Sequence, residues 1–353
     1  MDKPSCVICF SPEVRRYFEV RNSPFFQNVL SDDKLSANGV PLVNCEFWLC
    51  SNCLCLFNPQ FIEEKYSTEY NNDQSMSKAY RQHLDQVVAF VSGPLEKHSS
   101  ILEVGCGNGL VLRMLHDLGH VEVEGYDPAH VAGLPCVKRE YWRPSGKRHD
   151  AIILRHVLEA NLSYENLLLS AEQELALNGF VYLEFTNSRT IVQRSATLTL
   201  YHEYPQYFSE IALSIVLGRI GMYIHDIKHF FDGEITGVIA RRVMLRMPSV
   251  MSFEKLKMFD DVCIWGIGGR SINFLTNYAD ELKNVRFGVD LDPRKQGKYV
   301  PFSGQLIVSP DECMLNKPQA VIVLNKHYVD EVAAFFSYPV VILTLEDFSG
   351  VSV

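Results

Sequence analysis

The stretch that decides the fold is residues 100–109, which read SILEVGCGNG. Residues 101–104 form a short run that is apolar except for Glu103, and three glycines follow it at alternate positions. Residues 110–115 (LVLRML) then have the apolar spacing of a helix. Glycines let a backbone pass close to a ligand at the N-terminus of a helix. The stretch therefore predicts a buried strand, a glycine-rich turn and a helix in an α/β sheet.

The residues around this stretch extend the same pattern. A second strand is predicted over residues 121–126, and it ends at Asp127, a residue type that accepts hydrogen bonds from ribose hydroxyls at this position. Residues 80–92 have helical spacing, and residues 150–154 and 179–184 read as further strands. Taken alone, the glycine turn is a weak signal that dinucleotide-binding folds share, and it leaves open a nicotinamide cofactor or no cofactor.

Composition and charge restrict the class of protein. The chain has 353 residues, which predicts about two to three domains, and 47% hydrophobic with 21% charged residues is a globular balance. The net charge of −9 disfavours a nucleic-acid partner. The first residues do not resemble a secretory signal, and the sequence has no apolar run of about 18 residues, so we expect a cytoplasmic protein without a membrane span.

Six of the ten cysteines lie within the first 55 residues. Two CxxC pairs, Cys6 with Cys9 and Cys50 with Cys53, have the spacing of zinc ligands, and reduced cytosolic thiols favour metal binding over disulfides. We predict a structural zinc ion held by these four thiolates. The alternative is that they are buried structural thiols. We expect Cys45 and Cys55 to be packing residues, although Cys45 could replace one ligand.

The form Glu-x-Gly-x-Gly-x-Gly, which begins at Glu103, resembles motif I of the class I S-adenosylmethionine-dependent methyltransferases. The whole chain resembles the sugar C-methyltransferases of deoxysugar biosynthesis, which have an N-terminal zinc module, a central methyltransferase domain and a C-terminal Rossmann-like domain. The third part carries the stretches VCIWGIGGR (262–270), VDLDPRKQGKYVP (289–301) and LIVSP (306–310).

The resemblance implies boundaries and a cofactor. A zinc-ribbon-like module spans residues 1–60, a connecting segment 61–78, an α/β class I methyltransferase domain 79–247, and a smaller Rossmann-like α/β domain 248–353. The last domain is expected to help form the substrate cleft, whereas its glycine turn by itself leaves a second nucleotide cofactor open. The residues expected to bind S-adenosylmethionine are Glu103, Gly105, Cys106, Gly107, Gly109, Asp127, Pro128 and His156.

The family carries Tyr-His-Glu-His followed by Tyr-Phe-Ser, and residues 201–209 here read YHEYPQYFS. Tyr204 therefore stands where the family has its candidate base, the group that removes a proton beside a ketone. A free tyrosine titrates near pH 10, so His202 or His156 could act instead. The expected catalytic residues are Tyr201, His202, Glu203, Tyr204 and His156. The expected substrate-binding residues are Tyr66, Tyr70, Tyr207 and Lys298.

Other departures from the family occur at Ala160 and at residues 231–234. The sequence predicts methyl transfer to a small polar metabolite, namely to carbon 3 of a nucleotide-linked 4-keto-deoxysugar. The alternatives are O- or N-methylation of a related metabolite and a non-catalytic binding protein. We expect a small-molecule substrate, no nucleic acid, no membrane, and a monomer or weak dimer.

Overall fold

A computed structural model describes residues 3–63, 70–129, 134–244 and 251–348. The chain forms two compact units, Met1–Met244 and Leu245–Val353. The predicted boundary at residues 247–248 lies outside the described residues. In the part of the chain that the structure describes, no helix is long and apolar enough to cross a membrane.

The described strands of the first unit are β1 (Val14–Pro24), β2 (Leu42–Cys50), β3 (Leu56–Phe57), β4 (Ser100–Val104), β5 (Glu122–Tyr126), β6 (Val137–Lys138), β7 (His149–Arg155), β8 (Leu175–Thr186), β9 (Gln206–Tyr207), β10 (Met222–Phe230) and β11 (Ile235–Arg242). Its described helices are α1 (Lys34–Asn38), α2 (Lys78–Ser92), α3 (Leu110–Asp117), α4 (Tyr164–Gln173), α5 (Ser188–Arg194) and α6 (Glu210–Arg219).

The main sheet of the first unit has seven strands in the order β10-β11-β8-β7-β4-β5-β6. The strands from β8 to β6 pair in parallel, whereas β11 runs antiparallel to both β8 and β10. Every residue of β4 is buried, because a central parallel strand is covered on both faces. This order confirms the predicted α/β class I methyltransferase core.

Helix α2 shows why the predicted helix forms. Its buried face carries Leu84, Val87, Val88 and Val91, the spacing that the sequence predicted, and His83 lies on the same face. The side chain of Ser77 caps the first turn by accepting the N–H of Tyr80.

A second, antiparallel sheet has the order β1-β2-β3-β9. Strand β3 pairs with β9, so that Leu56 faces Tyr207 and Phe57 faces Gln206. The N-terminal cysteine-rich segment therefore shares a sheet with the residues that directly follow the YHEY motif, and both lie in the first compact unit.

The described strands of the second unit are β12 (Val262–Trp265), β13 (Val285–Val289), β14 (Leu306–Val308), β15 (Ala320–Val323) and β16 (Val341–Thr344), and its helices are α7 (Gly269–Asn277), α8 (Pro310–Asn316) and α9 (Val329–Phe335). The sheet has the order β14-β13-β12-β15-β16 and all its pairs are parallel. Ile264, Leu275, Ile322 and Phe348 lie in its core. This is the smaller parallel α/β unit that the sequence predicted.

Candidate active site

The glycine turn lies between β4 and α3. Gly105 has a φ of 73°, and a Cβ there would come within 2.5 Å of Cγ2 of Val157. Gly107 has a φ of 54°, and a Cβ there would meet no atom within 4 Å. Gly105 is therefore required by packing and conformation together, whereas the backbone at Gly107 borders open space that a ligand can approach.

Asp127, at the end of β5, holds this turn in place. Its Oδ2 accepts the N–H of Gly107 and its Oδ1 accepts the N–H of Ala129, each at 2.8 Å. The N–H of Gly105 donates to the carbonyl of Tyr126, also at 2.8 Å. Asp127 was predicted to bind ribose. The structure gives it this positioning role first, while each carboxylate oxygen keeps a further lone pair for a hydroxyl.

Glu103 is the buried acidic residue that precedes the turn. It is 1% exposed, and its Oε2 has no hydrogen-bond partner among the described residues. Burial raises its pKa to about 8, an effect that Arg155 opposes and that Glu184 and Asp127 reinforce. A buried carboxyl with a free oxygen fits a cofactor with cationic and N–H groups, and the methionine part of S-adenosylmethionine carries both.

The other predicted cofactor residues lie in or beside the turn. The side chain of Cys106 packs toward β5, since a Cβ on Gly125 would lie 2.6 Å from its Sγ, and the residue is buried. Pro128 is half-buried next to Asp127. Gly109 has a φ of 71° and precedes the first residue of α3.

A buried polar network lies where β7 and β8 end. Oε1 of Glu184 accepts a hydrogen bond from Arg155 at 2.8 Å and lies 3.2 Å from Nε2 of His83, while Oε2 accepts the hydroxyl of Tyr182 at 2.7 Å. These contacts hold the pKa of Glu184 well below its usual range despite burial, with Arg155 as the strongest favourable partner. Sequence reasoning missed the roles of Glu184, Arg155 and His83. The acidic residue at a strand end was the available signal.

His156 belongs to the same network. Its Nδ1 lies 3.2 Å from Oε1 of Glu159, and its Nε2 lies 3.4 Å from Oε1 of Glu184. Burial alone would favour the neutral ring, but the two carboxylates outweigh it and raise the pKa of His156 to about 9. An imidazole with this pKa is charged near neutral pH, which disfavours His156 as the group that takes a substrate proton. Its φ of 54° is the strained backbone found at functional sites.

His202 is a packed residue. It is 2% exposed, its ring stacks on Phe61 with centroids 4.9 Å apart, and its Nε2 lies 3.0 Å from the carbonyl of Ile62. A carbonyl only accepts, so Nε2 carries the proton, and Nδ1 accepts the thiol of Cys45 at 3.7 Å. Burial raises the pKa of Cys45 to about 11, which keeps that thiol protonated. Both ring nitrogens are occupied, so His202 does not fit the role of base.

Unlike His202, Glu203 has a buried polar atom that forms no hydrogen bond with the described residues. It is 4% exposed, its Oε2 accepts the N–H of Gln27 at 3.0 Å, and its Oε1 has no hydrogen-bond partner in the described parts of the chain. Burial raises the pKa of Glu203, and the N–H of Gln27 and the hydroxyl of Tyr70 partly oppose this rise. Tyr70 itself is bonded by the side-chain amide of Asn28 at 3.3 Å.

The tyrosines of the motif pack together. The rings of Tyr201 and Tyr204 are 5.0 Å apart, and those of Tyr204 and Tyr207 are 5.5 Å apart. Tyr207 is fully buried, and its hydroxyl donates to the carbonyl of Thr199 at 2.8 Å. The structure thus places Tyr207 in the core, where the predicted substrate contact is not available to it.

Gln206 is a further residue that the sequence did not single out. Its buried amide donates to the carbonyls of Leu158, Glu159 and Asn161 at 2.8, 3.3 and 2.9 Å. The side chain of Gln206 on β9 therefore holds the loop that follows β7. This loop contains Glu159.

The four predicted metal ligands are together. The sulfur atoms of Cys6, Cys9, Cys50 and Cys53 all lie within 4.8 Å of one another, and two pairs are 3.5 Å apart. Four thiolates around zinc would have sulfur–sulfur distances of about 3.8 Å, so the donor set and the spacing both fit zinc. Cys45 lies apart, against His202.

Both cysteine pairs have the same backbone form. The residue after each pair, Phe10 or Leu54, has a φ near 60°, and its N–H donates to the carbonyl of the first cysteine of the pair at 3.0 Å. The two turns therefore present their sulfur atoms in equivalent ways.

The second unit repeats the construction of the glycine turn. The N–H of Gly266 donates to Val289 at 2.7 Å, and the Oδ2 and Oδ1 of Asp290 accept the N–H groups of Ile267 and Asp292, each at 2.9 Å. A cleft of about 370 Å³ lies at the carboxyl ends of these strands. Its polar or glycine lining includes Gly266, Gly268, Arg270, Asp290, Asn325 and Tyr328.

This cleft lies where strand order reverses, between β12 and β15, the usual ligand position in an open parallel sheet. Lys295 donates to Asp290 at 2.8 Å beside the cleft. Lys298, a predicted substrate ligand, is exposed on the second unit. Tyr66, another predicted ligand, lies outside the described residues.

Known proteins resemble the first unit. Residues 76–226 match a family model described as "Methyltransferase domain". A comparison with curated proteins finds no match. Among solved structures, the chain is similar to the magnesium protoporphyrin IX methyltransferase of Synechocystis PCC 6803, with 17% identity over 52% of this chain and 90% of that chain and a TM-score of 0.38.

Two further solved structures match with similar sequence identities and TM-scores. The 1,6-didemethyltoxoflavin-N1-methyltransferase of Burkholderia thailandensis is 13% identical over 55% of this chain and 98% of its own, with a TM-score of 0.38. The CcbJ methyltransferase of Streptomyces caelestis is 16% identical over 46% and 90%, with a TM-score of 0.36. The family match over residues 76–226, the strand order and the glycine turn with its buried acidic residue show that the chain carries an S-adenosylmethionine-dependent methyltransferase domain.

Proposed function

We propose that this methyltransferase methylates a carbon beside the ketone of a nucleotide-linked 4-keto-deoxysugar, with Glu203 as the base. The observation that carries the proposal is the buried carboxyl of Glu203, which keeps one oxygen without a partner among the described residues. Methylation of carbon requires removal of a proton from that carbon, so the acceptor site needs a group that can take it.

Glu203 is the best base in the segment because the alternatives are engaged. His202 uses both ring nitrogens, and His156 is held as a cation by two carboxylates. Burial raises the pKa of Tyr201 to about 12, so its hydroxyl stays protonated. Burial raises the pKa of Glu203 above 4.5, and no cation is among the groups that shift it. The higher pKa makes its carboxylate a stronger proton acceptor.

The surroundings connect this carboxyl to the cofactor edge of the sheet. The charges of Glu203 and Glu159 both act on Tyr201. Glu159 in turn bonds His156, the residue that directly follows β7. Tyr201 is therefore close enough to both Glu203 and Glu159 to be affected by their charges.

The proposed reaction transfers one methyl group to the acceptor carbon and one proton away from it. S-adenosylmethionine, when bound, supplies an electrophilic methyl group. Glu203 takes the proton from the acceptor carbon, the new carbon–methyl bond forms as the sulfur–methyl bond breaks, and S-adenosylhomocysteine leaves. The hydroxyl of Tyr70 interacts with the carboxyl of Glu203 and partly opposes the rise in its pKa. Glu103, Gly107 and Asp127 hold the cofactor, and positioning is their contribution to the rate.

The nucleotide class is supported by the second unit taken by itself. Its cleft of about 370 Å³ has a glycine turn, an aspartate at the end of the adjacent strand and the Arg270 guanidinium. These groups suit a ribose and a phosphate. We also propose that Cys6, Cys9, Cys50 and Cys53 hold a structural zinc ion, because four thiolates leave no open position for a substrate.

The test is a methyl-transfer assay with carbon-13-labelled S-adenosylmethionine and a panel of nucleotide-linked keto and hydroxy sugars. We expect a product heavier by one methyl group, whose labelled methyl is bonded to carbon by NMR. Glu203→Gln should lower transfer by about 10²–10⁴-fold while S-adenosylhomocysteine binds as before, and the exposed Glu140→Gln serves as the matched control.

Other outcomes assign other functions. A methyl on oxygen or nitrogen would replace carbon methylation by the O- or N-transfer alternative. Cofactor binding without turnover on any acceptor would favour a non-catalytic binding protein. Metal analysis with less than about half an equivalent of zinc in protein never exposed to chelator would reject the metal site.

A further inference from the structure

Residues of the methyltransferase domain form hydrogen bonds with the backbone of both cysteine turns. Ser209 donates its hydroxyl to the carbonyl of Cys53 at 2.5 Å, and Ser188 donates to the carbonyl of Leu54 at 2.6 Å. On the first turn, the hydroxyl of Tyr164 donates to Val7 at 3.1 Å, and Arg219 donates to the carbonyl of Ile8. The three serine and tyrosine hydroxyls and the guanidinium thus bind backbone groups whose positions depend on the four sulfur atoms.

The second cysteine turn is connected directly to the acceptor side, by which we mean residues 201–209 and the loop 158–161. Cys53 is followed within three residues by β3, which pairs with β9, and the N–H of Asn58 donates to the carbonyl of Pro205 at 2.8 Å. Strand β9 and Pro205 directly follow the YHEY motif. A shift of the second turn would therefore move the backbone that carries Glu203.

The acceptor segment also binds the N-terminal segment in return. Oε2 of Glu203 holds the N–H of Gln27, and the N–H of His202 donates to Oγ of Ser23 at 3.3 Å. The ring of His202 contacts Cys45 on β2. The base and its neighbours are thus built partly from residues between the two cysteine pairs.

From β9 the contact chain reaches the loop after β7. The amide of Gln206 binds three carbonyls of residues 158–161, and Glu159 in this loop bonds His156. The glycine turn is held differently, by Asp127 and Tyr126 from the adjacent strand of its own sheet.

We propose that the four-thiol centre is the positioning element of the acceptor side: its metal orders residues 201–209 and the loop 158–161, whereas the glycine turn forms without it. Ser188 and Gln206 are positioning residues that transmit this order. The inference rests on the proposed zinc site and methyl-transfer function, and it adds that metal occupancy controls acceptor geometry separately from cofactor binding.

The experiment compares the full-length protein with zinc and after removal of zinc by a chelator. Amide hydrogen exchange is followed by mass spectrometry, and S-adenosylhomocysteine affinity by calorimetry. We expect exchange over residues 201–209 to accelerate at least about tenfold on zinc removal. The dissociation constant for S-adenosylhomocysteine should change by less than about threefold.

A variant keeps the test decisive if zinc removal unfolds the whole unit, which loss of protection in β4 would reveal. Ser188→Ala retains all four thiols but loses the bond to Leu54, so exchange over residues 201–209 should rise about two- to tenfold at unchanged zinc content. Ser214→Ala is the matched control, since its exposed hydroxyl bonds only within α6, to Glu210.

Unchanged exchange over residues 201–209 in both the zinc-free protein and Ser188→Ala would overturn the proposal while leaving methyl transfer intact. Parallel loss of exchange protection and of cofactor affinity in Ser188→Ala would overturn its selectivity. Absence of zinc from the purified protein, or of S-adenosylhomocysteine binding to the zinc-loaded protein, would instead identify a failure of the proposed function.

Discussion

Replacement of Glu103 by glutamine tests the electrostatics of the cofactor site most directly. The change keeps the size of the side chain but removes its proton equilibrium. Burial raises the pKa of Glu103 from 4.5 to about 8. Between these two values the folded protein holds a proton on this carboxyl, whereas the unfolded chain has released it.

The sign of the pH effect follows from linkage. Since the unfolded chain binds fewer protons in this window, the free energy of unfolding falls as the pH rises, by about 1.4 kcal/mol per pH unit well below the folded pKa. Near that pKa the slope weakens, so the loss between pH 6 and pH 8 is about 2 kcal/mol. The glutamine variant lacks this loss.

The assay is differential scanning calorimetry of zinc-saturated protein at both pH values. The transition that S-adenosylhomocysteine raises belongs to the first unit. The melting temperature of Glu103→Gln relative to the parent protein should increase by roughly 4–8 °C from pH 6 to pH 8. His156 has a pKa raised to about 9, so it contributes stability that is also lost as the pH rises, but this contribution cancels in the difference.

The control is Glu122→Gln, whose carboxyl is exposed at the start of β5 and should show no pH-dependent difference. If the difference between Glu103→Gln and the parent protein is the same at pH 6 and pH 8, Glu103 is ionised throughout. The argument from burial would then be refuted.

Three further predictions concern the acceptor side and the turn. Glu203→Gln should lower methyl transfer by about 10²–10⁴-fold with unchanged S-adenosylhomocysteine affinity, and an equal loss of both would contradict a base. Gln206→Leu removes the side-chain bonds to three carbonyls, of which Leu158 keeps the N–H of Asn161, and should lower the melting temperature by at least roughly 4 °C, since each of the two unpaired groups costs about 1–3 kcal/mol. Gly105→Ala should weaken cofactor binding measured by calorimetry, because the new Cβ meets Val157 at 2.5 Å. Adding Val157→Ala should restore part of it, and no recovery would place the cause in the backbone strain alone.

Local features were predictable because they depend on neighbours in the chain. Strand β4 spans Ser100–Val104 as predicted, since an apolar run bounded by a glycine turn has few other folds available. The face of α2 followed from its spacing. The four clustered cysteines were identified because each CxxC pair presents two sulfur atoms within one short turn.

The roles of individual histidines were not predictable in the same way. His156 and His202 have the same chemistry in the sequence, yet one is a cation between Glu159 and Glu184 and the other is a neutral ring held by Ile62 and Cys45. These partners come from distant parts of the chain. The residue type determines which chemistry a side chain is capable of. The groups around that side chain determine its protonation state.

The sequence by itself determined the strand, the glycine turn and the cysteine pairs, whose geometry is a property of consecutive residues. Only the tertiary structure decided how each polar group of the YHEY motif is buried and bonded, which is the basis for proposing Glu203 as the base. The pKa of Glu203 is raised because the residue is buried, its Oε2 is held by Gln27, a residue 176 positions away in the chain, and its Oε1 has no partner among the described residues. A pKa depends on the solvent and the charges around a group in space, and the fold alone sets these.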